Sequence, residues 1–184
     1  RSAGAVKLCV KHGVKVIYHA NFIDDEAIDM LEANKDWVFI SPNLAFTAIA
    51  AYEGQKWFSE EQVVKLGFRE ELSAAAVGLQ ELKRRGVRIL GGGDYGFGLT
   101  PHGQNARDLD HLVRYCHFTP MEAILSMTRD GGAAMDLSHE LGQIREGYLA
   151  DIVLVGGDPL MDTRVLLDAS QRLVVMKDGK IYRS

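Results

Sequence analysis

Apolar and polar positions along the chain change period repeatedly, and the changes predict alternating helices and strands. Residues 2–12, opening Ser2-Ala3-Gly4-Ala5-Val6-Lys7-Leu8-Cys9-Val10, read as a helix already under way. His12-Gly13 closes it, a stop in which glycine takes the left-handed conformation. Residues 14–18 form a short apolar strand that ends at His19. After the loop 20–24, acids at Asp25 and Glu26 and apolar residues at 27, 28, 30 and 31 predict a helix. Trp37-Val38-Phe39-Ile40 is a second strand, closed by Ser41-Pro42-Asn43. Residues 44–58 carry aromatics and a glycine and read as a loop or lid. Ser59 before Glu60-Glu61-Gln62 reads as an N-cap, residues 68–85 are strongly helical, and Gly86 stops them. A third strand, 87–90, runs into Gly91-Gly92-Gly93-Asp94, with helices expected near 105–115 and 120–129.

Strands alternating with helices imply parallel pairing through helical crossovers. Their nearly continuous apolar character suits a sheet covered on both faces, in a barrel or a doubly wound sheet. Beyond about residue 137 the pattern changes. Residues 152–155 and 173–176 are strands without a long helix between them, and Asp178-Gly179 centres a hairpin turn. The expected division is 1–136 and 137–184, with the second part completing a sheet begun elsewhere.

Composition narrows the function. The 184 residues are 47% hydrophobic and 25% charged, with a net charge of −4 and 21 scattered Lys and Arg. No basic stripe points to nucleic acid. No apolar run approaches the length of a transmembrane helix. Cys9 and Cys116 form neither a disulfide framework nor a CxxC motif, which fits a reducing, cytoplasmic setting.

His19 and Asp94 each follow the C-terminal end of a predicted strand, the catalytic rim of an α/β barrel. One βα unit takes about 31 residues, so two units and the long 44–58 segment place these residues on strands two steps apart. An imidazole nitrogen and a carboxylate facing one mouth suit a divalent metal, and the carboxylate can also take a proton from activated water. Two donors are fewer than the three protein ligands of a catalytic zinc site. By spacing alone, a hydrogen-bonded rim or core histidine is the commoner reading of His19, and a turn-capping aspartate accounts for Asp94 as well as a ligand does.

His102 shares the Asp94 loop and is a candidate for substrate contact. Trp57, Phe58, Tyr95 and Phe97 line a pocket or merely pack. His12 reads as a helix C-terminal residue, His111 and His117 as surface or packing residues, and His139 as a loop residue. Ser41 and Ser126 lack nucleophile-elbow glycines, and Cys9 reads as packed. Gly91, Gly93 and Gly96 formally satisfy a dinucleotide fingerprint, but no helix can open before about Asn105, as that motif requires.

Three segments resemble the amidohydrolase superfamily, particularly its branch of imidazolonepropionase-like hydrolases and metal-dependent Xaa-Pro dipeptidases. The first is Val16-Ile17-Tyr18-His19-Ala20-Asn21-Phe22-Ile23-Asp24-Asp25-Glu26-Ala27, similar to the family's strand-six histidine and following helix. The second is Gly92-Gly93-Asp94, similar to the strand-eight aspartate, with Gly103-Gln104-Asn105-Ala106-Arg107-Asp108-Leu109 and Thr119-Pro120-Met121-Glu122-Ala123-Ile124 downstream. The third runs from Gly142-Gln143-Ile144-Arg145-Glu146-Gly147-Tyr148-Leu149-Ala150-Asp151-Ile152-Val153-Leu154-Val155 through Asp158-Pro159-Leu160 to Val175-Met176-Lys177-Asp178-Gly179. It resembles the small β-sandwich beside the family's barrel.

The resemblance implies the C-terminal part of a TIM-like (β/α)8 metal-dependent hydrolase barrel with part of a flanking β-sandwich. It implies hydrolysis of amide or other C–N bonds, with a deaminase of the same superfamily as the alternative and a dinucleotide-binding oxidoreductase as a more distant one. His19 is then a metal ligand or a residue that positions the substrate carbonyl, and Asp94 a ligand and general base. The cofactor is a divalent metal, zinc by family habit, as one or two ions. Asn43, Tyr95 and His102 are expected to contact a small-molecule or dipeptide-like substrate. Nucleic acid and membrane are not expected partners, whereas a homo-oligomer is compatible with the sequence. Tyr18 stands where many relatives have Glu, and Gly93 where many have Thr. The family's strand-one His-x-His, strand-four lysine and strand-five histidine have no counterpart. The expectation is therefore an incomplete segment that needs the N-terminal half of its own chain.

Overall fold

The computed structural model describes residues 1–183. Three short strands, β1 (Val16–Tyr18), β2 (Phe39–Ser41) and β3 (Arg88–Ile89), form a parallel sheet in the order β1-β2-β3. The register aligns Ile17, Ile40 and Ile89 across the sheet. Side chains alternate between the faces of a strand, so this isoleucine row shares one face, and all three join the core with Leu31, Leu79 and Leu82. The neighbouring row is Val16, Phe39 and Arg88. Phe39 lies beneath cations, with the Arg88 guanidinium 3.8 Å and the Lys15 ammonium 5.7 Å from its ring centroid.

Helices make the crossovers. Helix α1 (Ala3–Lys11) precedes β1, and α2 (Asp25–Ala33) joins β1 to β2. Between β2 and β3 come α3 (Leu44–Tyr52), α4 (Glu60–Leu66) and α5 (Phe68–Arg84). After β3 come α6 (Arg107–Cys116), α7 (Pro120–Met127) and α8 (Arg129–Ala134). Local chemistry sets the boundaries. Ser59 with Gln62 and Thr119 with Glu122 form capping boxes at α4 and α7. Gly13 and Gly86 follow α1 and α5 in the left-handed conformation, φ 72° and 81°.

Two expectations are corrected. The 44–58 segment is not a loop or lid in its first half, because α3 runs to Tyr52. Leu44, Ala45, Thr47, Ala48, Ile49, Ala50 and Ala51 are all buried. A helix buried on every side shows no amphipathic stripe, and that stripe is the signal periodicity relies on. The helix expected at 120–129 breaks at Thr128, whose ψ of −82° separates α7 from α8.

The C-terminal strands β4 (Ile152–Val155), β5 (Arg172–Lys177) and β6 (Lys180–Arg183) form a separate antiparallel sheet, β4-β5-β6. Its hairpin turns at Asp178 and Gly179, both at positive φ, 48° and 72°, the requirement of a tight two-residue turn. The whole is a mixed α/β fold with two three-stranded sheets, neither closed into a barrel among the described residues. No helix among them is long and apolar enough to cross a membrane.

Candidate functional site

The C-terminal ends of β1, β2 and β3 converge on one rim, and each carries a non-glycine residue in the left-handed conformation. These are His19 (φ 74°), Asn43 (φ 57°) and Asp94 (φ 56°), with Ala20 beside His19 at 61°. Left-handed backbone is unfavourable for residues bearing a Cβ, and such strain collects at functional sites. The rim is tied together across the strands. The His19 N–H donates to the Ser41 carbonyl at 2.8 Å, and the Leu90 N–H to the Ile40 carbonyl at 2.8 Å. Below the rim, the sheet face opens into a cavity of about 510 Å3 lined by Val16, Tyr18, Ser41, Leu90, Gly92 and Met127, among others.

His19 is half-buried, and its Nδ1 lies 3.3 Å from the Asn43 amide nitrogen. Burial lowers its pKa below the usual histidine value, and positive charge at Arg1 adds to the effect. The charges of Asp94 and Glu71 act in the opposite direction, so both carboxylates are near enough to be felt at the ring. The imidazole is therefore neutral at neutral pH, the form that ligates a cation. Asp94 is exposed, and its carbonyl accepts from the Thr100 hydroxyl at 2.7 Å. Gly96 N–H donates back to the Thr100 carbonyl at 2.7 Å, closing the loop.

The glycine run before Asp94 is required by close packing. A Cβ on Gly91 would lie 2.6 Å from the Met127 sulfur. One on Gly93 would lie 2.5 Å from the Ala45 Cβ and the Tyr95 ring, and 2.6 Å from an Asp108 oxygen. The Tyr95 hydroxyl donates to that oxygen at 3.1 Å. Tyr95, Asp108 and Ala45 thus fill the space that a side chain at Gly93 would need. The next helix begins only at Arg107, so these glycines open no helix and do not form a dinucleotide-binding turn.

His102 is exposed in the same loop and packs against Gly96, where a Cβ would lie 3.3 Å from its ring. Of the four candidate aromatics, Phe58 packs edge-on against Phe68 with centroids 5.0 Å apart. Phe97 rests on Phe46 at 5.8 Å. Trp57 and Phe97 remain 50% and 54% exposed, leaving an apolar wall beside the Asp94 loop. His12 and His117 are helix C-caps, and His111 is buried.

Several buried polar groups near His19 carry no sequence signal that separates them from ordinary loop or helix-end residues. Asn21 is 1% exposed, and both of its amide atoms lack a partner. Glu71, in the first turn of α5, reads from sequence as a dipole-facing acid. It is buried, with one oxygen 3.0 Å from the Arg1 guanidinium and the other unpartnered.

Among the described residues, no group of three or more His, Cys, Asp or Glu side chains is placed to hold a metal ion. One imidazole nitrogen and one carboxylate are nevertheless donor types a divalent metal accepts, and catalytic zinc takes three protein ligands. The pair fits as part of a ligand set and not as a complete one.

Comparison with known proteins gives a consistent picture. The chain is 26% identical over 179 residues to ochratoxinase of Aspergillus niger, covering 97% of this chain and 36% of that protein. It superposes on the crystal structure of a Xaa-Pro dipeptidase with bound methionine in its active site, with a TM-score of 0.82 and 29% identity, over 99% of this chain and 43% of the other. The crystal structure of the A. niger ochratoxinase matches in fold, with a TM-score of 0.80 at 23% identity, over 98% of this chain and 40% of that one. The chain thus spans less than half the length of these relatives. The amidohydrolase family profile matches residues 2–182, and the chain belongs to the amidohydrolase family.

Proposed function

We propose that this chain supplies one side of the active site of a metal-dependent hydrolase of amide or similar C–N bonds. The reading takes β1 to β3 as consecutive strands of a (β/α)8 barrel and the C-terminal sheet as part of a flanking β-sandwich, with the division near residue 137. The observation that carries it is the pairing of His19 and Asp94 on one rim, both in strained left-handed backbone and two strands apart. The similarity to a Xaa-Pro dipeptidase favours a dipeptide-like substrate.

In this reading His19 and Asp94 contribute two donors for a divalent cation, with zinc suited to the nitrogen and oxygen set, and the remaining ligands lie elsewhere in the natural chain. When bound, the cation polarises the scissile carbonyl and lowers the pKa of water. Asp94, open to solvent at the rim, accepts the proton of the attacking water and returns it to the departing amine. Tyr95 and His102 border the approach to Asp94, and Trp57 and Phe97 offer an apolar surface to the substrate side chain.

The test uses the natural full-length chain. His19→Ala and Asp94→Asn are expected to lose bound metal and hydrolysis together across a panel of dipeptides, N-acyl amino acids and cyclic amides. Full metal content and undiminished activity in both variants would falsify the assignment.

A further inference from the structure

Asn43 occupies the N-cap position of α3, where an asparagine side chain ordinarily accepts a backbone N–H from the first helical turn. Here it makes no such bond. Its residue is 4% exposed, and the amide is turned on His19, with Nδ2 3.3 Å from Nδ1. The Asn43 Oδ1 is buried without a partner. Both ends of this contact are pinned. The Thr47 hydroxyl donates to the Asn43 carbonyl at 3.3 Å, and the His19 N–H is bonded to Ser41 at 2.8 Å, two residues before Asn43.

Two hydrogen-bond arrangements occupy these same positions. With Nδ2 donating, Nδ1 of His19 is the acceptor and the ring proton sits on Nε2. After a half-turn of the amide, Oδ1 accepts from Nδ1–H and the lone pair lies on Nε2. The two amide orientations have nearly the same shape, so packing does not choose between them. Their consequences at the rim are opposite. In the first, neither ring nitrogen offers a free lone pair. In the second, Nε2 does, and Oδ1 gains a partner while the amide nitrogen gives up its contact with the ring.

We infer that Asn43 is a positioning residue: through Oδ1 it holds His19 in the Nδ1–H tautomer and presents Nε2 to a divalent cation. The inference rests on the reading of His19 as a ligand. A backbone or side-chain acceptor behind a ligating imidazole fixes both tautomer and ring orientation. An asparagine that forgoes its helix cap to face the ring has the geometry for that task.

The experiment uses the natural full-length chain with 15N-labelled histidine, read by long-range proton–nitrogen spectra of the metal-free protein and by zinc titration. The wild type is expected to carry its His19 proton on Nδ1. Asn43→Asp, which can only accept, should keep that pattern. Asn43→Leu should lose it and bind zinc about 10- to 100-fold more weakly. A wild-type proton on Nε2, or an Asn43→Leu variant with unchanged tautomer and affinity, overturns the inference. Should Asn43→Leu not fold, the wild-type and Asn43→Asp spectra decide. The two possible failures are distinct, because a His19→Ala variant that keeps its metal removes His19 as a ligand, whereas the metal-free spectra read the Asn43 contact alone.

Discussion

At the level of single residues, the rim is built by exclusion of volume as much as by chemistry. Gly93 has no room for a side chain, because Ala45, Tyr95 and Asp108 already meet where its Cβ would stand. Gly93→Thr should cost about 1–3 kcal/mol through overpacking. Denaturant unfolding of the full-length protein measures it, and an unchanged midpoint would show that Tyr95 and Asp108 give way freely. Cys116 illustrates the same enclosure by its titration. Burial raises its thiol from 9.0 to about 12. The unfolded thiol ionises first, so this contribution to stability is complete below about pH 9 and is lost as pH rises toward 12. Alkylation of Cys116 in native protein at pH 8 should therefore be far slower than in denaturant. Equal rates in both would contradict its burial.

Among the elements, boundaries written in local chemistry behave differently from boundaries written in packing. The α4 cap is local: Ser59 accepts from the Gln62 N–H at 3.2 Å, and the Gln62 side chain accepts from the Ser59 N–H at 2.9 Å. Ser59→Ala should lower stability by about 1 kcal/mol, seen as a lower unfolding midpoint with an unchanged denaturant slope. A slope change would mean that the variant alters more than a helix end. Helix α3 is the opposite case. Its sequence is rich in alanine, a strong helix former, but apolar all round, so no amphipathic stripe marks its ends, and it packs against α5 and α6.

For the molecule as a whole, the parallel sheet has open edges at β1 and β3 among the described residues. Unpaired strand edges template association with other chains. The C-terminal sheet adds exposed apolar side chains at Ile152, Val153 and Leu154. Residues 1–184 expressed alone are thus expected to self-associate and to show no hydrolysis, since two donors do not complete a metal site. Sedimentation and activity measurements check this, and a monodisperse, active monomer would refute it.

The sequence by itself determined what depends on short-range physics. The alternation of strands and helices, the caps at Ser59 and Thr119, the stops at Gly13 and Gly86 and the Asp178-Gly179 turn are all written in neighbouring residues. The placement of His19 and Asp94 at strand ends was legible for the same reason. Tertiary structure decided the rest. It buried α3 on nearly every side, broke the helix at Thr128, filled the space around Gly93, and turned the Asn43 side chain from its helix to His19. It also buried Asn21 and Glu71. Each of these depends on which distant groups share a volume, and the one-dimensional pattern carries no measure of that.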